Sequence, residues 1–442
     1  MARKLNRLAV WLQTLFGEMA EQMAVETGFI QRHRKLTAKA WLQTLVFGWA
    51  ANKNATVEDL ADDLLDHDVV ISPQGLAQRF TPNAAAFLRA ALEKALTVVF
   101  HSSPQALPLL SRFSGVYADD SSTVSLPTEL AAEFPGCGGD CPTAGQAAIK
   151  TFLRFEVCTG RFDMMRFSAG RVPDVVGGQE AGPPPAGSLH LCDLGFFDSD
   201  RLAEEDRQGV WWISRVPPKM KFSLEPGVSQ PLAAFLKNQK RHRVDQRVLL
   251  GEKELKTRLV AIRCPKPVAD KRKERLRRTA AKKQRAVSRE QLILCEWTVL
   301  ITNLPHTWMK LAELWILYRV RWQIELVFKR WKSQGGLAQS AGRCGWRWLC
   351  EFYAKLLGQV VLNWLTLLKG GPLSGYSPVK LQRRAQHAIS GIAMALRCST
   401  KRLLQALRET VERFAHVRPQ LIRHQRPSTR QTLLQPECCA LN

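Results

Sequence analysis

Two aspartates and one glutamate stand where they could do metal chemistry. Asp120 closes the segment GVYADD, Asp193 closes SLHLCD after the alternating Leu189 and Leu191, and Glu325 lies within LYRVRWQIELVFKRWKS. Three carboxylates at the edge of a mixed sheet are enough to hold two divalent cations for phosphoryl transfer, one activating the attacking oxygen and the other stabilising the leaving one. Around Glu325, helical geometry puts Tyr318, Arg321, Glu325 and Lys332 at roughly 0°, −60°, −20° and −40°, a single stripe. Trp322, Ile324, Leu326, Val327, Phe328 and Trp331 point in most other directions, so the stripe faces something other than bulk water. A buried carboxylate needs a cationic partner or a metal. Arg321 and Lys332 would then hold a phosphate backbone, and Tyr318 could donate to a phosphate oxygen. Each feature also has a plain structural explanation: an Asp after a strand is an ordinary turn residue or cap, and Arg321 with Glu325 is a helical ion-pair spacing.

These residues need a sheet and a helix to position them. FSGVYADD, TFLRFEV, RFDMMRF, SLHLCDLGFF, GVWWISRV and CEWTVLITNLP read as strands of one sheet, with GGQEAGPPPAG as an exposed loop. The helix carrying Glu325 follows the last strand. Residues 1 to 105 show helical periodicity, with Thr56 and Ser72 as N-caps, Asp59 three residues after the first and Pro73 directly after the second. TVEDLADDLL and SPQGLAQRF resemble two helices joined by a turn, which fits a helix-turn-helix or plain helical packing. The start of the chain reads as an amphipathic helix because Leu5, Leu8, Leu12, Leu15 and Met19 recur at helical spacing. Residues 346 to 442 are helical and basic.

The 442 residues suggest several domains, and 64 Lys plus Arg against 39 Asp plus Glu give a formal charge of +25. An excess that large points first to a polyanion, most often nucleic acid. Lys266 to Arg289 hold eleven Lys or Arg against Asp270 and Glu274, and read as a polyanion-binding loop or a solvated charge run. No apolar run reaches the length of a membrane span. Eleven cysteines without disulfide-framework spacing point to a reducing cytosol, and Cys137 with Cys141 lack a second ligand pair for zinc.

The spacing Tyr318, Arg321, Glu325, Lys332 matches the Tyr-Arg-Glu-Lys signature of bacterial insertion-sequence transposases of the IS-four group. DSSTVSLPTELAAEFPGCGG resembles that family's first catalytic-aspartate segment, CDLGFFDSDRLAEEDRQGVWWISR the second, and WTVLITNLP with YRVRWQIELVFKRWKS the third. RHRKLTAKAW and ISPQGLAQRFT resemble its N-terminal region, so the likeness runs in order over roughly residues 30 to 340. The resemblance implies an α/β fold: an RNase H-like mixed-sheet catalytic core with a mostly β insertion, flanked by helical regions. It implies a helical DNA-binding region over 1–105, a core in two parts at 106–215 and 295–345, a basic insertion at 216–294, and a helical region for DNA binding or dimerisation at 346–442. It further implies an Asp120, Asp193, Glu325 triad using two Mg2+ ions, with Mn2+ as a substitute, and phosphate contacts from Tyr318, Arg321 and Lys332. The implied partners are double-stranded DNA, as transposon ends and target, and a second copy of the chain. The implied location is the bacterial cytoplasm, at the nucleoid. Asp119 and Asp120 are adjacent and face opposite sides of a strand, so only one can be the first ligand; the distance to the LP that follows favours Asp120. The competing readings are a metal-dependent nuclease without strand transfer, a DNA-binding repressor that has lost catalysis, and, more distantly, a membrane-surface protein.

Overall fold

Leucine periodicity at the start of the chain produces helix α1 (Ala2–Leu15), which buries Leu5, Leu8, Leu12 and Leu15. The helix expected to continue through Met19 ends at Leu15; an added Cβ at Gly17 would overlap the Gln13 carbonyl oxygen, and α2 (Glu18–Glu26) begins anew. The computed structural model describes residues 1–32, 35–103, 107–137, 146–282, 284–342, 344–422 and 427–435. Its contacts define two units: Met1–Gln105, Ser121–Val172 and Trp322–Arg430 form the first; Ala106–Asp120, Pro173–Arg321 and Gln431–Asn442 form the second.

In the first unit follow α3 (Ala38–Ala51), α4 (Val57–Asp63), α5 (Pro73–Ala77) and α6 (Pro82–Leu96). The caps work as the sequence predicts. Thr56 and Asp59 close a reciprocal capping box on α4, and Ser72 accepts from the Gly75 amide at 3.1 Å with Pro73 in the first turn of α5.

Strand β1 (Val116–Leu126) runs through both units. In the first, β2 (Ala147–Glu156) and β3 (Arg161–Ala169) form an antiparallel hairpin in the order β3-β2-β1. The second unit adds α7 (Asp174–Glu180), β4 (Leu189–Cys192), α8 (Ser199–Arg207), β5 (Trp211–Ser214), β6 (Lys221–Ser223), β7 (Ser229–Pro231), α9 (Leu232–Lys237), β8 (Arg243–Leu250), β9 (Leu255–Arg263), α10 (Lys266–Lys282), α11 (Arg289–Leu294), β10 (Trp297–Thr302) and α12 (Leu311–Val320). Its strand order is β1-β4-β5-β10-β9-β8-β6-β7. The pairs β1/β4 and β4/β5 are parallel, and β5 to β7 are joined antiparallel. All four residues of β4 are buried, as expected of a parallel strand covered on both faces.

Two local expectations fail. GGQEAGPPPAG is not wholly an exposed loop: its first residues belong to α7, where Gly177 and Gly178 are buried. An added Cβ on Gly178 would collide with the Arg201 guanidinium, so the glycine serves packing rather than a turn. The basic run read as a loop is largely the helix α10. Of the pair Cys137 and Cys141, Cys141 lies outside the described residues.

The first unit closes with α13 (Trp322–Ser333), α14 (Gly345–Leu367), α15 (Pro378–Cys398) and α16 (Thr400–Ala415). Helix α14 is apolar on nearly all sides and forms the hub of this unit, packing on α3 and α6. Gly358 permits the close approach to α3, since a Cβ there would lie 3.1 Å from Ala50 Cβ and 3.2 Å from the Val46 carbonyl. Among the described residues, no helix is long and apolar enough to cross a membrane.

Candidate functional site

The second unit carries two aspartates near the ends of the parallel strands β1 and β4. In the parallel pair β1/β4, Ala118 lies opposite Leu191. Asp120 follows Ala118 by two residues along β1, and Asp193 follows Leu191 by two, one residue past the end of β4. Both are half-buried, so each combines a fixed backbone with a carboxylate that solvent or a ligand can reach.

Asp119 has a different fate. It is 1 % exposed, Arg201 Nη2 donates to its Oδ2 at 2.7 Å, and His190 Nε2 lies 3.2 Å away. Glu205 completes the cluster, 2.8 Å from His190 Nδ1 and 3.1 Å from Arg201 Nε. Successive strand residues face opposite sides, so Asp119 turns inward towards α8 while Asp120 takes the other face. Two carboxylates, an arginine and a histidine thus tie β1, β4 and α8 together beneath the strand ends. Burial opposes charge on His190, yet Cys192, Glu205 and Asp119 hold it well above its ordinary range. Burial likewise opposes ionisation of Glu205, and His190 and Arg201 keep it below the usual carboxylate range.

His190, Cys192 and Glu205 offer ligand atoms within 4.8 Å of one another, a spacing a metal could use. The Arg201 guanidinium, however, lies within 3.4 Å of the His190 ring and pairs with both carboxylates. A cation is already present, and a second one would face it directly. The cluster is an ion network rather than a metal cage.

Asp193 gathers polar groups around itself. The Tyr318 hydroxyl on α12 donates to the Cys192 carbonyl at 3.2 Å and to Asp193 Oδ1 at 3.4 Å. Burial, opposed by the Arg321 guanidinium, pushes the Tyr318 hydroxyl well above its usual range, so it is a donor at neutral pH. Arg321 lies with Cζ 5.9 Å from the Tyr318 ring centroid. Arg215, which the sequence does not single out, sits 3.8 Å from Asp193 Oδ1. The β4/β5 pairing of Cys192 with Ser214 explains it: one residue on, Arg215 is level with Asp193.

Glu325 and Lys332 belong to α13 in the first unit. The helix expected to run unbroken from Tyr318 to Lys332 is interrupted at Arg321, which caps α12 before α13 starts at Trp322. Trp322 is 53 % exposed rather than packed, while Ile324, Val327, Phe328 and Trp331 form the buried face. Glu325 is half-buried in the first turn, and Lys332 Nζ in the last turn donates to the Thr123 carbonyl of β1 at 3.1 Å. Within the second unit, therefore, Asp193, Tyr318 and Arg321 come together, with Asp120 on the neighbouring strand β1; within the first, Glu325 and Lys332 share one face of a helix that contacts β1.

Residues 112–357 match a family described as Transposase DDE domain. The chain is 28% identical over 373 residues to the transposase for insertion sequence element IS231F of Bacillus thuringiensis subsp. israelensis, covering 77% of this chain and 75% of that protein. It is 26% identical over 371 residues to the transposase for IS231E of Bacillus thuringiensis subsp. finitimus, with 78% and 76% covered. It is 27% identical over 387 residues to the transposase for IS1151 of Clostridium perfringens, with 81% and 80% covered.

Proposed function

Since the chain belongs to the DDE-domain transposase family, we propose that it binds the terminal inverted repeats of its own insertion sequence, cleaves the DNA there and joins the freed ends to target DNA. The observation that carries this reading is that Asp120 lies on β1 and Asp193 directly after its parallel partner β4, each two residues beyond the paired Ala118 and Leu191, in a family named for its acidic triad. Glu325 is the third member. The Tyr318, Arg321, Glu325, Lys332 spacing supports a place in the IS-four group, and with it an RNase H-like core.

Hard oxygen donors at strand ends suit magnesium, and Asp120, Asp193 and Glu325 would hold two ions, with manganese as substitute. Bound there, the ions supply Lewis-acid stabilisation of the attacking and leaving oxygens. The engagement of Asp119 by Arg201 and His190 supports Asp120 as the first ligand. The chain's own residues position the substrate. Arg321 and Lys332 hold non-bridging phosphate oxygens, and Tyr318 donates a hydrogen bond to one of them. In cleavage, water oxygen bonds to phosphorus as the bond to the 3′ oxygen breaks, and that oxygen leaves as a hydroxyl. In joining, the 3′-hydroxyl attacks a target phosphorus and displaces a target 3′ oxygen. Two ends must be paired, which fits a homodimer on DNA.

Supercoiled plasmid carrying the cognate ends, incubated with magnesium, tests the proposal: rejoined target products support it, nicked plasmid without joining supports a plain nuclease, and end binding without cleavage supports a repressor. Arg321→Ala and Lys332→Ala are each expected to slow end processing by roughly 10² while end affinity falls less than tenfold, because many other cations contribute to binding. Equal losses of binding and processing would remove the two residues from the site.

A further inference from the structure

Helix α10 has an unusual distribution of charge. Taking Lys271 as the origin, helical geometry puts Lys271, Arg275, Arg278 and Lys282 at about 0°, 40°, −20° and 20°, a single outward row about 16 Å long. On the opposite side, at about 140° to 200°, lie Ala269, Lys273, Leu276 and Ala280. These four are the buried or half-buried positions, and the cations of the row are exposed. The inner side is bolted down at one end: Arg272 donates to the Trp297 carbonyl at 3.1 Å and to Thr298 Oγ1 at 3.0 Å, and Lys273 Nζ pairs with Glu296 Oε1 at 2.6 Å. The row therefore has a fixed direction, facing away from the inner side of the helix. Among the described residues, none of its four cations has a carboxylate within ion-pair distance.

Lys271 with Arg275 and Arg278 with Lys282 are like-charge pairs four apart, a spacing that disfavours an isolated helix. Each strand of duplex DNA presents a phosphate about every 3.4 Å of axis, so a row this long spans several phosphates of one strand.

We infer that the outer face of α10 is a phosphate-binding ridge for duplex DNA, made by Lys271, Arg275, Arg278 and Lys282 and indifferent to sequence. The partner rests on the transposase reading above; the surface does not. A row of exposed side chains without base-reading geometry positions DNA and carries no sequence information.

The test is the salt dependence of binding of the full chain to a labelled random-sequence duplex of a few tens of base pairs. Four phosphate contacts contribute about −3.6 to the slope of log affinity against log salt. The variant with Lys271, Arg275, Arg278 and Lys282 all replaced by Gln, a good helix former, is expected to lose that much slope, so that between 50 and 200 mM salt its affinity falls about 10²-fold less than that of the natural chain. A control replaces Lys219, Lys237, Lys240 and Arg241, exposed cations elsewhere in the second unit, by Gln and removes the same net charge. An unchanged slope for the α10 variant, or an equal loss in the control, overturns the ridge, the latter because net charge alone would explain it. If the natural chain itself shows no salt-dependent binding to duplex DNA, the transposase reading falls as well. Loss of binding to anionic-lipid vesicles with the DNA slope intact would likewise overturn it, by assigning the ridge to a membrane surface.

Discussion

Glu325→Gln is expected to remove magnesium-dependent nicking by at least on the order of 10³-fold, about 4 kcal/mol of transition-state stabilisation, while the protein still folds and binds its ends. The amide keeps the shape of the carboxylate and loses the charge that a hard divalent cation requires of its oxygen ligands. Packing of α13 rests on Ile324, Val327, Phe328 and Trp331, none of which changes. An acidic side chain in the first turn of a helix contributes only about 0.3–1 kcal/mol through the helix dipole, so the melting temperature in chelator should move by a few degrees at most. Crowded carboxylates repel one another without metal, and relief of that repulsion acts in the opposite direction. A melting curve in chelator beside a nicking assay in magnesium separates the roles. If Glu325 were merely structural, the variant would melt early and any folded fraction would nick at the natural rate; that outcome sinks the triad.

Arg201→Met should be the most destabilising single substitution in the second unit. Its guanidinium pairs with Asp119 and Glu205, and all three side chains are nearly inaccessible. Removing the cation leaves two buried carboxylates with only His190 between them, a defect that costs roughly 3–5 kcal/mol and lowers the melting temperature by roughly 10 °C. Arg201→Lys keeps the charge but not the planar fork that reaches both acids, and should recover part of the loss. The cluster also sets a pH dependence. His190 is held above its ordinary value of 6.5, so its contribution is complete below that pH and fades as pH rises through the elevated value. Glu205 is held below its ordinary value of 4.5, so its contribution is complete above 4.5 and fades in acid. Stability from the cluster should therefore peak between these values, and His190→Gln should flatten the alkaline limb. Denaturant titrations across pH measure both effects; an Arg201→Met variant as stable as the natural chain would show that the cluster is not held together by charge.

Much of this molecule could be read from local pattern. Alternating apolar residues ended by turn formers marked β1, β4, β5 and β10, because a pleated strand shows its burial with period two. Thr56 and Ser72 marked helix starts because a cap is satisfied within three residues. The candidate roles of Tyr318, Arg321, Glu325 and Lys332 rested on short-range spacing, and those of Asp120 and Asp193 on resembling segments met in order along the chain. The charge run around α10 misled because helix is normally recognised by an apolar stripe, and here the inner side consists of alanines, one leucine and the stem of Lys273. Other features depended on residues far apart in sequence. That Asp119 turns inward depends on Arg201, 82 positions away. That Arg215 stands beside Asp193 depends on the register between β4 and β5. That a glycine-rich segment forms α7 depends on the room Gly178 leaves for the Arg201 side chain. Local sequence determines where a strand or helix can begin and end, because caps and periodicity act over a few residues. Which neighbour a buried charge meets was decided only by tertiary structure, because strand pairing and helix packing bring together groups that no short window contains.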